Sequence, residues 1–173
     1  RISSIMDIKT RDGNKKRMSG KIAANPFTSK IMLEGPIKKA KNESDGDISF
    51  VLSGKTSYLD KSSKVFYSYV DEEGLPYSFN DFYGKITTNN SSGSKLNLFG
   101  FSFNDHAKYQ GVSDYKWNST GFGSSFVVVP AGSAVLLDGV FAYSQYKITL
   151  EEADGLPRSS LINGFNIGLN FTY

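Results

Sequence analysis

Cysteine is absent from the 173 residues, histidine and tryptophan each occur once, and proline occurs only five times. The missing thiols exclude disulfide frameworks, thiolate zinc sites and thiol nucleophiles. A Ser-His-Asp triad or a polyhistidine metal site would have to be built on His106 alone. That residue stands in Asn104-Asp105-His106-Ala107-Lys108, among loop-forming residues, and is expected to be a solvated loop histidine. Charge of one sign is also scarce, since 20 Lys+Arg against 17 Asp+Glu leave a formal +3. The local excesses at Lys15-Lys16-Arg17 and Lys38-Lys39-Ala40-Lys41 lie on no recognition helix or aromatic-interleaved basic stripe, so nucleic acid is not expected as a partner. No apolar run approaches the ~18 residues that a membrane helix requires, which excludes a helical span and leaves a membrane barrel open. The length suits one domain with a sizeable core. Arg1 at the start, and a regular pattern broken off at Asn170-Phe171-Thr172-Tyr173, lead to the expectation that both ends are cut.

What the sequence does contain is alternation. In residues 163–173 the odd positions Phe165, Ile167, Leu169, Phe171 and Tyr173 are apolar, and the even ones are Gly, Asn or Thr. Period two of this kind makes a strand. The same reading applies to Met18, Gly20, Ile22 and Ala24; to Ile31, Leu33, Gly35 and Ile37; to Ile48, Phe50, Leu52, Gly54, Thr56 and Tyr58; and to Phe82, Gly84, Ile86 and Thr88. Three longer segments change phase. In residues 95–104 the apolar set moves from Leu96 and Leu98 to Phe99, Phe101 and Phe103, which implies a bulge or aromatics on the second face. Residues 114–129 and 135–150 are similarly mixed, and their β-branched and aromatic content with internal glycines favours strand over helix. About eight strands result, and no convincing helix.

Strands of about 9 to 15 residues exceed the five or six usual in soluble sheets and fit the ~9–11 of a tilted membrane-crossing strand. The connections divide into tight turns (residues 89–94, 130–133) and longer charged or aromatic ones (60–80, 105–113, 151–162). That division is expected of an up-and-down outer-membrane barrel, with short periplasmic turns and long outer loops. The outer turn at residues 25–28 would be unusually short. The fold class expected is therefore all-β, with antiparallel up-and-down transmembrane β-barrel strands. Tyr58, Tyr83, Trp117, Tyr143 and Tyr173 lie near strand ends, where a membrane-interface girdle would put them. The alternatives are an autonomous eight-stranded outer-membrane barrel with an anchoring or adhesion role, and a soluble lipocalin-like binding module whose apolar face points inward.

Particular residues add a resemblance. The opening Arg1-Ile2-Ser3-Ser4-Ile5-Met6-Asp7-Ile8-Lys9-Thr10-Arg11-Asp12-Gly13 resembles the segment that closes the plug of TonB-dependent outer-membrane receptors. Leu33-Glu34-Gly35-Pro36-Ile37 and Ser49-Phe50-Val51-Leu52-Ser53-Gly54-Lys55-Thr56-Ser57-Tyr58-Leu59-Asp60 are similar to a turn and the first barrel strands of the Bacteroidota receptors, with Lys55 where arginine is common. The resemblance implies that residues 1–14 end the plug and that 15–173 form the first strands of a 22-stranded barrel. It also implies a bacterial outer-membrane location, transport of an extracellular nutrient into the periplasm, and outer-membrane lipid as surroundings. Coupling to the TonB system would run through a missing N-terminal part, and a surface lipoprotein is a further candidate partner.

No reaction chemistry is expected, and neither a cofactor nor a metal is assigned. The acidic clusters at Asp45/Asp47, Asp71/Glu72/Glu73 and Glu151/Glu152/Asp154 lack the spacing of a calcium loop and read as solvated turns. Gly121-Phe122-Gly123 lacks the lysine and the helix of a phosphate loop. The most aromatic connection carries Phe66, Tyr67, Tyr69, Tyr77 and Phe79. It is expected either to stack on a sugar, peptide or partner lipoprotein, or to pack on neighbouring loops as a lid.

Overall fold

The computed structural model describes residues 9–42, 44–69, 72, 74–130, 132, 134–153 and 155–173. Most of the expected plug exit, residues 1–8, lies outside them, as do Asp71, Glu73 and Asp154 of the acidic clusters. The chain is all-β. Its strands are β1 (Ser19–Ala24), β2 (Thr28–Lys38), β3 (Asp47–Ser57), β4 (Tyr77–Asn89), β5 (Lys95–Tyr109), β6 (Ser113–Val128), β7 (Leu136–Glu152) and β8 (Arg158–Thr172). They form one antiparallel up-and-down sheet in chain order, with β1 and β8 at its edges.

The register fixes which side chains share a face. One row across the sheet reads Leu33, Leu52, Gly84, Gly100, Phe122, Tyr143, Phe165. The next reads Gly35, Phe50, Ile86, Leu98, Ser124, Phe141, Ile167. This first face is an apolar belt, and its side chains are bare: Ile22 is 80% exposed, Phe165 72% and Ile167 77%. Among the described residues only Val51 and Ala107 are buried hydrophobics, whereas Glu34, Ser49, Ser57, Ser63, Lys85 and Thr87 are buried polar residues. Burial is thus inverted relative to a water-soluble domain, where large apolar patches are covered and charges stay outside.

The phase changes have a chemical cause. Residues 95–109 pair with 113–127 without a shift, so no bulge interrupts β5, and Phe99, Phe101 and Phe103 stand on the second face. β6 and β7 are likewise in continuous register. Toward one end of the sheet the first face turns polar, in the row Asn80, Asn104, Asn118, Lys147, while the second becomes aromatic. Glycines opposite the rings make room for them. A Cβ on Gly121 would lie 2.7 Å from the Phe101 ring, and one on Gly123 2.8 Å from that of Phe99.

The same polar ends alter the expected connections. Residues 105–113 and 151–162 are mostly strand, leaving turns only at 110–112 and 153–157. Gly111 holds the first of these at φ 69°, a left-handed conformation open to glycine. His106 is accordingly a strand residue. The 58–76 connection stays long and contains a helix, α1 (Leu59–Phe66), which the sequence reading does not anticipate. Eight residues are too few to display a helical period, and the helix is secured from outside it. Ser63, buried, donates from Oγ to the Leu59 carbonyl and accepts from the Leu75 N–H at 2.8 Å. Leu33-Glu34-Gly35-Pro36 is strand, not turn. β1 begins opposite Glu34, so Pro36 lies beyond that paired stretch, next to a register shift, where a missing N–H is tolerated.

Candidate functional site

Residues 9–17 form a strap joined to second-face side chains of β2 to β5. Asp12 is its centre. Its carboxylate accepts from Lys85 Nζ at 2.9 Å, from Lys95 Nζ at 2.6 Å and from Thr87 Oγ1 at 3.3 Å. Lys85 Nζ also donates to the Thr10 carbonyl at 2.9 Å. On either side, Arg11 pairs with buried Glu34 at 3.0 Å, Thr10 Oγ1 meets the Tyr83 hydroxyl at 2.6 Å, and Lys15 meets Asp47 at 3.3 Å. Gly13 lies so close to the Phe50 backbone that any Cβ there would collide with it. Burial alone would raise the Asp12 pKa. The hydrogen bonds from Lys95 and Lys85, together with their charges, outweigh it and hold the carboxyl below its ordinary range. Of the sheet's buried polar residues, Glu34, Lys85 and Thr87 are thus partnered through this strap, Ser57 bonds to the Phe27 carbonyl, and the Ser49 hydroxyl has no hydrogen-bond partner.

A second feature lies on the same face toward the α1 end. Tyr115 and Trp117 of β6 stack with ring centroids 5.5 Å apart and planes 8° apart, and Phe101 and Phe103 of β5 stack at 5.0 Å. Tyr146, Ile148 and Leu150 of β7 stand across from β6 in the same rows. On β4, Tyr77 and Phe79 are 5.9 Å apart, Lys55 Nζ sits 4.4 Å over the Phe79 ring, and the Tyr77 hydroxyl donates to Asp105 at 3.0 Å. Stacked rings beside ammonium, hydroxyl and carboxylate groups form a surface suited to amphipathic ligands.

The five residues expected to form a ligand or partner loop fall into two groups. Tyr77 and Phe79 belong to this aromatic surface. Phe66 and Tyr67 instead pack on Phe27 of the 25–27 turn, at 6.4 and 5.6 Å, and Tyr69 packs on Tyr67 at 6.0 Å. That second group is a lid-like contact between loops. Phe101, Phe103, Tyr115, Trp117 and Tyr146 were missed as a surface, although the changes of phase were their signal.

The five girdle candidates are also distributed. Tyr143 stands on the first face between Phe122 and Phe165, at 5.6 and 4.9 Å, at the edge of the apolar belt. Tyr83 and Trp117 are on the second face. Tyr58 follows β3 and donates to the carbonyls of Asn25 and Thr28, fastening the short turn. Tyr173 follows β8 and is fully exposed.

No family model, known protein or solved structure matches the chain. The acids at the connections have local partners: Asp45 accepts from Lys38 at 2.8 Å, and Asp47 accepts from Asn89 at 2.9 Å as well as from Lys15. The hydrogen bonds from Lys38 and the Lys41 N–H hold Asp45 below the ordinary carboxylate range. His106 faces Asp114 at 2.7 Å on the polar end of the first face. These pairings make ion pairs and turns.

Proposed function

We propose that the chain is barrel wall of an outer-membrane TonB-dependent receptor, which binds a nutrient outside and passes it into the periplasm. The observation that carries this reading is the inverted burial: a bare apolar belt on one face of the sheet, and polar residues on the other gathered under a strap. In a lipid bilayer the belt is solvated by acyl chains, and the polar face lines the lumen. The belt also drifts against the register. On β2 its side chains, Ile31 to Ile37, centre on the level of second-face Glu34, which lies in row with Asn166 of β8, whereas those of β8, Phe165 to Phe171, centre on the level of Gly168. A flat apolar layer crossed by inclined strands has this property.

Two features favour a receptor over the alternatives. A lipocalin-like module would wrap its apolar face around a ligand, but here the N-terminal strap occupies the polar face. An autonomous eight-stranded barrel would close β1 on β8, but the two are unpaired edges of the sheet, and the six residues of β1 would cover fewer than half of the fifteen of β8. Further strands beyond β8 meet that need, and the strap then corresponds to the end of a plug inside the lumen. The nutrient would meet the aromatic surface at the α1 end, on the lumen side of the outer opening.

Because these 173 residues hold no cysteine, a cysteine introduced among them, in a full-length protein cleared of any others, reports one position. In the full-length protein in native membranes, Asn166→Cys should react with a water-soluble maleimide, and Ile167→Cys only with a lipid-soluble one. Equal aqueous labelling of both would refute the membrane reading. A membrane species of only this chain's own mass, or ligand uptake that survives dissipation of the proton-motive force, would refute the transporter.

A further inference from the structure

The charges around the aromatic surface are sorted by strand. On the second face toward the α1 end, β1 to β3 present Lys21, Lys30 and Lys55, whereas β4 and β5 present Asp81 and Asp105. β6 presents no charge there, and Glu152 of β7 and Arg158 of β8 bond to each other. One row reads Lys30, Lys55, Asp81, Phe103, Ser119, Tyr146, and the next reads Phe79, Asp105, Trp117, Ile148. Among the described residues, none of Lys30, Lys55 and Asp81 enters an ion pair. Lys55 Nζ lies instead over the Phe79 ring at 4.4 Å, and Asp105 accepts from the Tyr77 hydroxyl. Lys30 stands directly opposite Lys55, a like-charge pairing that weakens a sheet.

Across the strands the surface therefore passes from cationic, through acidic, to aromatic and aliphatic. A ligand carboxylate between the lysines and a ligand ammonium between the acids would turn both repulsions into attractions. We propose that this surface binds a short peptide with free ends and an apolar first residue, laid across the strands. Its carboxylate meets Lys30 and Lys55, its ammonium meets Asp81 and Asp105, and its first side chain lies on Phe103 and Trp117. β2 and β4 are two strand spacings apart, about 10 Å, which an extended tripeptide spans at ~3.3–3.6 Å per residue. The ammonium belongs to the same residue as the first side chain, so it falls between carboxylate and ring, in the order that the rows have. An oligosaccharide would stack on the rings and leave the sorted charges without a role. The inference rests on the receptor reading and names what such a receptor carries.

The test uses the full-length protein in detergent and an equimolar mixture of tripeptides that begin with phenylalanine, tyrosine, tryptophan or leucine and end in two alanines. The same mixture is also supplied N-acetylated and C-amidated. The free peptides should bind about tenfold more tightly than either capped form, since each cap removes a charge-assisted contact. Asp81→Asn/Asp105→Asn should abolish the preference over the acetylated form alone, and Lys30→Gln/Lys55→Gln the preference over the amidated form alone. Trp117→Ala should weaken all three. Heat-resistant gel mobility checks that each variant is folded, with Asp81→Asn or Lys55→Gln alone as milder substitutes. Equal affinity for free and capped peptides, or preferences that survive in the double variants, overturn the site while leaving the barrel intact. Tighter binding of neutral maltotriose than of the free peptides overturns the peptide as occupant. Partition of the protein into the aqueous phase without detergent overturns the receptor reading itself, whatever the peptides do.

Discussion

Replacing Asp12 by alanine isolates what holds the strap. The substitution removes the acceptor from two ammonium groups, of which Lys85 is 7% exposed and Lys95 33%. Charge-assisted hydrogen bonds contribute about 1.5–3 kcal/mol each, and orphaning one member of a fully buried pair costs about 3–5 kcal/mol. Both figures need discounting here, because the Asp12 and Lys95 side chains are partly solvated and Lys85 keeps the Thr10 carbonyl at 2.9 Å. About 2 kcal/mol remains, equivalent to roughly 30-fold more frequent opening of residues 9–17. Hydrogen exchange of those amides in the full-length protein reads the change directly. Adding Lys85→Met to the Asp12→Ala chain removes the stranded charge, so global stability should partly recover while the strap stays loose. The pH dependence follows from the depressed carboxyl. Because the folded pKa lies below the unfolded one, the stabilisation is fully present above the ordinary carboxylate value of about 3.9 and is lost only as pH falls through the lower folded pKa. Strap exchange, corrected for its intrinsic rate, should be flat from neutrality to about pH 5. Unchanged exchange in Asp12→Ala, or loosening of the wild type already near neutrality, would refute the account.

Two other substitutions probe the sheet and its turns. Gly121→Val drives side-chain atoms into the Phe101 ring and toward the Tyr143 carbonyl, 2.9 Å from the Cβ position. It should destabilise by about 1–3 kcal/mol in urea unfolding, with part of the loss restored by Phe101→Ala. Tyr58→Phe removes a hydroxyl that donates to the carbonyls of Asn25 and Thr28. It should loosen the 25–27 turn by about 1 kcal/mol, measured by exchange at the Thr28 amide, with no effect on β5 to β8.

How much of this was legible depended on which solvent each residue faces. β8 could be read at sight, because Phe165, Ile167, Leu169 and Phe171 alternate with Gly and Asn. β6 and β7 were legible as strands from their β-branched and aromatic content, although their phase reverses: the first face carries Asn118 and Lys147, and the second carries Tyr115, Trp117, Tyr146 and Ile148. What did not show was the far end of β5, residues 105–109, and the start of β8, residues 158–162, where a polar stretch reads as the end of a strand and the start of a connection. α1 escaped for a different reason, since the hydrogen bond that Ser63 accepts comes from Leu75, twelve residues downstream. The Asp12 node is the least legible of all. Nothing local relates residue 12 to residues 85, 87 and 95; only the pairing of β3, β4 and β5 brings them together.

The reversal of phase connects the fold to its proposed role. A strand with one apolar face throughout suits a single environment on that side. Here the first face of β5 runs from Leu96 and Leu98 through Gly100 to Ser102, Asn104 and His106, which suits an apolar medium and then an aqueous one. Over the same length the second face runs from Lys95 and Asn97, joined to the strap node through Asp12 and Thr87, to Phe99, Phe101 and Phe103, with Asp105 and Ala107 beyond them. The two faces change in opposite senses. On the proposed reading, lipid and water outside the wall would produce the first gradient, and a charged strap below an aromatic opening the second. A ligand-filled soluble cavity would not call for both.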